Sequence, residues 1–133
     1  MQKIVFIITI LFSVLLSACG VGQNNNPNSI IVDVDASTFK ELINQPGTIL
    51  DVRTPDEWAD GIIAGAEKIN FYDDNFTQQI EKLDKTTPVY LYCRSGGRSA
   101  NAADILKEKG FTKVYNLDGG ITSWQNNGFE VVK

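Results

Sequence analysis

The sequence predicts a three-layer α/β/α fold whose central layer is a mainly parallel five-stranded sheet. Two observations support this prediction. Short apolar runs alternate with helical patterns along the chain, and 133 residues with 43% hydrophobic content suit one globular domain. Strands that alternate with helices form parallel sheets that helices cover on both faces.

The first part of the domain combines three apolar runs with two capped helices. Asp35 is placed to cap the first helix, which runs to about residue 44. Thr54, Pro55 and Glu57 give the second helix a capping box with proline at its first position, and it ends near residue 60. The strands of this part are predicted at residues 30–34, 48–52 and 67–70, of which the last is weak.

The second part contains the most apolar strand and the longest helix. Residues 89–92, flanked by Pro88, predict a buried strand. The long helix has apolar residues on one face and stops at Gly110. The other elements are predicted in chain order as a helix at residues 74–83 before the buried strand, then the long helix at 99–109, a strand at 113–117, a turn at Gly119 and Gly120, and a helix at 121–126.

The N-terminal residues predict a secretion signal. Lys3 precedes an apolar run at residues 4–16, which is shorter than the roughly 20 residues that cross a bilayer as a helix. The run ends in a motif that resembles the lipobox of bacterial lipoproteins, in which cleavage precedes a cysteine that becomes lipid-modified. Its residues are Leu16, Ser17, Ala18 and Cys19.

This resemblance implies a signal peptide over residues 1–18, a lipidated Cys19 with a flexible tether over 19–28, and a folded domain over 29–133. Acylated Cys19 would hold the protein on a membrane of the bacterial cell envelope, with its domain outside the cytoplasm. Cys93 would then be the only free thiol. Labelled fatty acid is expected to enter the wild-type protein but not Cys19→Ser, and absence of label from both would remove the lipoprotein prediction.

Charge and the lack of histidine exclude several kinds of protein. Twelve basic and sixteen acidic residues give a net charge of −4 without a basic run, so we expect no nucleic-acid partner. The chain has no histidine, which excludes a Ser/His/Asp triad, a Cys–His dyad and a histidine-ligated metal. Two cysteines are too few for a structural zinc site. We therefore expect no metal and no cofactor, and we expect a monomer.

A glycine- and arginine-rich loop between the buried strand and the long helix carries the candidate nucleophile. Its residues, called the active loop below, are Cys93, Arg94, Ser95, Gly96, Gly97, Arg98 and Ser99. The two glycines permit a tight turn with left-handed residues, in which successive N–H groups point inward as an anion nest. These amides, the helix N-terminus and the arginines favour the thiolate of Cys93 over the thiol. Asp51 and Arg53 follow another predicted strand, and ligands of open α/β sheets bind at such carboxyl ends.

Three segments resemble the rhodanese-like sulfurtransferase family, and in particular its single-domain members. They occur in the family's order and spacing, and together they cover nearly everything from Ile30 to Val132. They are residues 49–58, residues 89–99, and residues 114–120 followed by Trp124.

The resemblance implies that Cys93 transfers sulfur. Cys93 would attack the outer sulfur of a small sulfur anion such as thiosulfate, become a persulfide, and pass the sulfur to cyanide or a thiol. The amides from Arg94 through Ser99 would cradle the donor and the persulfide, and Arg94 would steer anionic donors.

The resemblance also implies a supporting role for three charged residues. Asp51, Arg53 and Glu57 would hold the active loop by charged hydrogen bonds, with Arg98 as a partner. The chain departs from the family at Ile62, where the family usually has histidine. Because that position is not the nucleophile, the chemistry is expected to remain possible, while a packing or rim contact is expected to differ.

Other functions are compatible with this fold. Related phosphatases place five residues between cysteine and arginine, whereas Arg98 comes one position too early for that arrangement, so a phosphatase or an arsenate reductase is disfavoured. Rhodanese-like domains also serve as binding modules, usually after loss of the cysteine, so Cys93 argues against this alternative. A persulfide carrier that delivers sulfur to a partner protein lies between these readings, and the sequence does not separate it from an enzyme.

Overall fold

The computed structural model describes residues 30–133, which form five strands and five helices. The signal-peptide, Cys19 lipidation and tether predictions lie outside the described residues. In chain order the elements are β1 (Ile31–Val34), α1 (Ala36–Leu42), β2 (Thr48–Asp51), α2 (Pro55–Ala59), β3 (Glu67–Lys68), α3 (Phe76–Ile80), β4 (Val89–Tyr92), α4 (Gly97–Glu108), β5 (Val114–Leu117) and α5 (Gly120–Asn126).

The sheet has the strand order β1-β5-β4-β2-β3, and every neighbouring pair is parallel. The central strand is β4, and all four of its residues are buried. Antiparallel pairing within residues 30–133 is limited to an isolated bridge between Ile62 and Val132. The predicted five-stranded, mainly parallel sheet is confirmed.

Side-chain alternation along β4 divides the core into two clusters. Cys93 belongs to the cluster that contains side chains of α3 and α4. On the opposite face, Tyr90 and Tyr92 pack with Phe39 of α1 and Trp124 of α5. The Phe39 ring meets the other three rings edge-on, with centroid distances of 6.3, 6.4 and 6.3 Å to Tyr90, Tyr92 and Trp124. Helices therefore cover both faces of the sheet, as the three-layer prediction requires.

Three helices differ in extent from the prediction, of which α1 ends at Leu42, two residues before the predicted end. α3 is shorter than residues 74–83, because its buried residues are a single i, i+4 pair, Phe76 and Ile80, which anchors little more than one turn. α4 begins at Gly97 and not at residue 99, because Gly96 serves as its N-cap with a φ of 112°. The Ala100 N–H already bonds the Gly96 carbonyl at 3.0 Å. No helix within residues 30–133 combines the length and apolar character that a membrane span requires.

Candidate active site

Cys93 follows β4 directly, at the carboxyl end of the central strand, and is 1% exposed. Its Sγ accepts the N–H of Gly96 at 3.1 Å. Gly96 itself has a left-handed φ of 112°, which leads the chain from this contact into α4 and favours glycine. Gly97, also expected in a left-handed conformation, is instead the first residue of α4 and has a negative φ. One left-handed residue is therefore enough to form the turn.

The surroundings of Cys93 favour its thiolate. Burial alone would raise the pKa of the thiol, but hydrogen bonds from the Ser99 hydroxyl and from the amides of Ser99, Gly96 and Ser95 outweigh burial and lower the pKa. The Ser99 hydroxyl also lies 3.2 Å from the Gly96 carbonyl oxygen, and its one proton serves one acceptor at a time. A thiolate is the stronger acceptor of the two because it is charged. The predicted anion nest stays a prediction, which the Gly96 N–H at 3.1 Å and the lowered pKa of the thiol support.

The start of α5 supports the active loop by hydrogen bonds to the loop carbonyls. The N–H groups of Ile121 and Thr122 donate to the carbonyl oxygens of Cys93 and Arg94, at 2.9 and 3.1 Å. Gly120 makes this approach possible, because a Cβ at its position would lie 2.5 Å from the Cys93 carbonyl oxygen and 2.5 Å from the Arg94 carbonyl group. Its φ of 59° also favours glycine.

These bonds set the direction of the loop amides. In a planar trans peptide the C=O of one residue and the N–H of the next point in opposite directions. The Arg94 carbonyl points at α5, so the Ser95 N–H points away from α5, which is consistent with its hydrogen bond to the Cys93 sulfur. Gly120 therefore helps to aim an amide at the sulfur from a position far along the chain.

Arg98 and Glu57 form the charged contact that holds the loop from the side of α2. The guanidinium makes two hydrogen bonds to the carboxylate, Nη1 to Oε2 and Nη2 to Oε1, each 2.7 Å long. Oε2 of Glu57 also accepts the N–H and the hydroxyl of Thr54, at 3.1 and 2.9 Å. The Arg98 hydrogen bonds, helped by those from Thr54, lower the pKa of Glu57 from 4.5 to about 2 despite partial burial. The geometry thus places Arg98 and Glu57 together, as the sequence suggested.

Asp51 and Arg53 differ from the expectation, because their side chains make no hydrogen bond or ion pair with the active loop. Asp51 is fully buried and binds Arg53 through Oδ1 to Nε at 2.9 Å and Oδ2 to Nη2 at 2.7 Å. Arg53 in turn donates to the carbonyl oxygens of Glu57 and Gly61, at 3.2 and 2.7 Å. The pair holds the end of α2 in place, so its effect on the loop is indirect and passes through Glu57.

Ile62 occupies the position where the family usually has histidine, in the segment that follows α2. Its N–H and carbonyl exchange 2.8 Å hydrogen bonds with the backbone of Val132. The adjoining Gly61 lies so close to Val131 that an added Cβ would be 2.6 Å from the valine side chain. The C-terminal segment is therefore bonded to the segment at Gly61 and Ile62, which Arg53 also holds.

A cleft of about 320 Å³ opens beside the active loop, between the end of α2 and the start of α5. Its lining residues are Arg53, Glu57, Asp60, Arg94, Ile121, Thr122 and Gln125. Tyr72 stands near the loop on another side, 65% exposed, with the Arg98 guanidinium 5.7 Å from its ring centroid. The sequence predicts no functional role for Asp60, Thr122, Gln125 or Tyr72, and it predicts only a turn for Gly120. The paired glycines at the start of α5 are the local signal for that turn, and the other residues become neighbours of the active loop through the fold.

The fold and this site define an α/β protein with a buried cysteine of lowered pKa at the carboxyl edge of a parallel sheet. Residues 35–127 match the family described as "Rhodanese-like domain". The chain belongs to the rhodanese-like domain family.

Two relatives and a solved structure agree with this membership. A sulfurtransferase from Allochromatium vinosum is 30% identical, and the match covers 77% of this chain and 96% of that protein. The thiosulfate sulfurtransferase GlpE of Pseudoalteromonas translucida is 32% identical over 68% of this chain and 84% of its own length. The crystal structure of a rhodanese-related protein from Thermoplasma volcanium has a TM-score of 0.68 and 31% identity, covering 75% of this chain and 96% of that chain. These relatives support a sulfurtransferase of the rhodanese family.

The substitution Glu57→Gln is expected to lower the free energy of unfolding by about 1–2 kcal/mol at pH 7, because it replaces charged hydrogen bonds by neutral ones. The folded-state pKa of Glu57 is about 2, below its ordinary 4.5, so the carboxylate stabilises the fold above pH 4.5 and loses this effect as the pH falls towards 2. The difference between wild type and variant should therefore be constant at neutral pH and shrink below pH 4.5.

Denaturant unfolding at several pH values measures this difference. Glu41→Gln is the matched control, because Glu41 is exposed and makes no side-chain hydrogen bond or ion pair within residues 30–133. Equal stability of Glu57→Gln and wild type at pH 7 would contradict the role given to Glu57.

Proposed function

We propose that this protein is a sulfurtransferase that carries a sulfane sulfur on Cys93 as a persulfide. The observation that supports this most strongly is the hydrogen-bonded surroundings of the sulfur, in which the Gly96 N–H lies 3.1 Å from Sγ and the pKa of the thiol is lowered. A thiolate is the nucleophile that sulfur transfer requires. The names of the relatives point to the same class of reaction.

The first step takes sulfur from a donor such as thiosulfate. The Cys93 thiolate attacks the outer sulfur, the S–S bond of thiosulfate breaks, and its electron pair leaves with sulfite. The product is an anionic persulfide, Cys93–S–S⁻, and the total charge is unchanged. Arg94 is exposed beside the cysteine and is suited to attract a dianionic donor. The loop amides are suited to hold the negative charge of the persulfide.

The second step returns Cys93 to its resting state. A nucleophilic acceptor attacks the outer sulfur of the persulfide, the S–S bond breaks, and its electron pair returns to Sγ. With cyanide the product is thiocyanate. With a thiol the product is a new persulfide, and the proton of the thiol leaves with it. The same amides then stabilise the Cys93 thiolate as a leaving group.

The state of Arg98 disfavours phosphatase and arsenate reductase activity. Both terminal nitrogens of its guanidinium are engaged with the Glu57 carboxylate at 2.7 Å. A phosphatase arginine has to be free to clamp the phosphoryl oxygens. Arg98 is thus used to brace the loop, in keeping with its position one residue too early in the sequence.

A carrier function is the second candidate. Tyr72 is 65% exposed beside Arg98, and the cleft at Arg94 is open, so the edge of the loop is accessible to a partner protein. Steady turnover with a small acceptor distinguishes an enzyme from a carrier that releases sulfur only to its partner. A binding module without chemistry would not form the persulfide at all.

The experiment is an assay with thiosulfate and cyanide, followed by detection of thiocyanate, with a phosphate ester as the parallel substrate. We expect thiocyanate to form catalytically and the phosphate ester to remain intact. Hydrolysis of the ester without thiocyanate formation would overturn the proposal in favour of a phosphatase.

A further inference from the structure

Tyr72 is an exposed aromatic residue that the surrounding structure holds in place. It is 65% exposed, the largest fraction among the exposed large hydrophobic residues of the described chain. Its N–H donates to the Asn70 side chain at 3.0 Å, and its ring meets the Phe71 ring edge-on at a centroid distance of 5.8 Å. An exposed ring that is already ordered loses little conformational entropy when a partner covers it.

Tyr72 stands on the same side of the active loop as the sulfur. Its neighbour Phe71 packs against the core cluster that contains Cys93. The Tyr72 ring centroid also lies 5.7 Å from the guanidinium of Arg98, in the first turn of α4. Hydrogen bonds to Glu57 are the main cause of the raised pKa of Arg98. The charges of Cys93 and Tyr72 raise this pKa further, so both groups lie within electrostatic reach of the same guanidinium.

The charges beside Tyr72 are negative. Asp73 and Asp74 follow it directly in the chain, and both are exposed. Asp74 makes no side-chain hydrogen bond or ion pair within residues 30–133. The guanidinium of Arg98 is neutralised by Glu57. This side of the loop therefore offers an aromatic ring beside an unmatched carboxylate, which together suit a cationic group.

Two further cations near the carboxyl edge of the sheet lie away from Tyr72. Arg94 lines the cleft at the start of α5. The Lys68 ammonium lies 5.8 Å from the ring centroid of Trp58, in α2. The next residue, Ile69, packs in the core cluster that contains the sulfur, so Lys68 faces the opposite side of the sheet. The carboxylates beside Tyr72 are thus left to attract a cationic partner.

A protein is the partner that suits this surface. A specific protein interface covers roughly 800 Å² on each partner, which is wide enough to include both Tyr72 and the active loop. Such a partner can contact the ring with one side chain while another part of its surface presents a thiol to the loop. Rigid aromatic residues are also typical energetic centres of protein interfaces. The ring and the recessed sulfur of Cys93, which is 1% exposed, therefore fit one macromolecular footprint.

We propose that Tyr72 anchors a docking surface for an acceptor protein whose reactive cysteine lies among basic residues. The inference rests on the proposed function, since it names the class of acceptor for the same persulfide. In the complex a basic side chain of the partner lies on the Tyr72 ring beside Asp74. The partner thiol attacks the outer sulfur of Cys93–S–S⁻, the S–S bond breaks with its electron pair going to Sγ, and the thiol proton leaves with the product RSSH.

Single-turnover transfer to two peptides tests the docking surface. One peptide carries a single cysteine flanked by lysines, and the matched peptide carries the same cysteine flanked by glutamates. Wild-type protein is loaded with thiosulfate, freed of donor and mixed with each peptide at about 0.1 M salt, which screens distant charges. Mass spectrometry follows the sulfur that remains on Cys93. Because variants are compared by the ratio of the two peptide rates, differences in intrinsic thiol reactivity cancel.

Tyr72→Leu is expected to lower the lysine-to-glutamate rate ratio about threefold, the scale of one exposed cation–π contact. Tyr72→Phe keeps the ring and should retain the wild-type ratio. Asp74→Asn should lower the ratio by a similar factor to Tyr72→Leu. Asp104→Asn is the matched control, because Asp104 is an exposed aspartate further along α4. Unchanged ratios in Tyr72→Leu and Asp74→Asn, with normal sulfur release to cyanide, would overturn the docking surface and leave the proposed function intact.

A binding measurement keeps the test independent of sulfur loading. NMR of the Cys93→Ala protein is recorded with the lysine-flanked peptide in which serine replaces cysteine, and the backbone amides of Tyr72 and Asp74 should shift. Shifts confined to Arg94 and Thr122 would place the peptide at the cleft beside α5 and overturn the docking surface, as would the absence of any shift. Failure of the wild-type protein to load sulfur would overturn the proposed function, and the two failures are therefore distinguishable.

Discussion

Replacement of Cys93 by alanine is expected to abolish sulfur transfer, with a loss of at least about 10³-fold in thiocyanate formation. The reason is that, among the described residues, Cys93 is the one free cysteine on which a persulfide can form. The variant should remain folded, since the change removes one buried sulfur atom at the edge of the core. Thiocyanate formation and circular dichroism, measured on the same preparation, check both statements.

Cys93→Ser is the companion variant. It keeps a side chain of similar size within reach of the Gly96 N–H, but a hydroxyl is a far weaker nucleophile than a thiolate at neutral pH. It should be as inactive as Cys93→Ala. Substantial thiocyanate formation by either variant would show that the sulfur is transferred without this residue.

Gly120→Ala is expected to have the next largest effect, on both stability and activity. The added Cβ would lie 2.5 Å from the carbonyl groups of Cys93 and Arg94, so the loop or the start of α5 has to move. Movement of these carbonyls redirects the amides that follow them and weakens the hydrogen bonds that lower the pKa of Cys93. We expect sulfur loading to slow by at least about tenfold, and alkylation of Cys93 to require a higher pH.

Gly128→Ala is the control that separates the effect of the added Cβ at position 120 on the loop from the effect of backbone strain. Gly128 has a comparable left-handed φ, 80° against 59° for Gly120, but a Cβ at its position meets nothing within 4 Å. It should cost about 1 kcal/mol of stability and leave the reactivity of Cys93 unchanged. If Gly120→Ala shows the same alkylation profile and loading rate as Gly128→Ala, the contact between α5 and the loop does not activate the cysteine.

The parts of the fold that local sequence determines were predictable. β4 has the predicted bounds because a run of buried apolar residues next to Pro88 leaves few alternatives. Asp35 caps α1 as expected, with its side chain accepting the Thr38 N–H at 2.8 Å. The extent of α3 was not predictable from local pattern, because its length depends on how many of its residues reach the core.

The candidate site also contains some residues that local sequence predicts and others whose contacts depend on the tertiary fold. The active loop was predictable because its residues are adjacent in sequence. Glu57 was predictable as part of a local capping box. Asp51 and Arg53 were correctly placed at the sheet edge, but the sequence does not show that they bond each other and the carbonyl of Gly61 in preference to the loop. Asp60, at the end of α2, lines the same cleft as Arg94, and this proximity depends on the tertiary fold.

Thiosulfate treatment of the wild-type protein, followed by alkylation and mass spectrometry of the peptide that spans residues 86–94, examines the persulfide itself. We expect this peptide, which contains Cys93, to gain one sulfur atom, and we expect cyanide to remove it. A peptide that stays unmodified at saturating thiosulfate, in protein whose Cys93 remains open to alkylation, would contradict the assignment of Cys93 as the sulfur carrier.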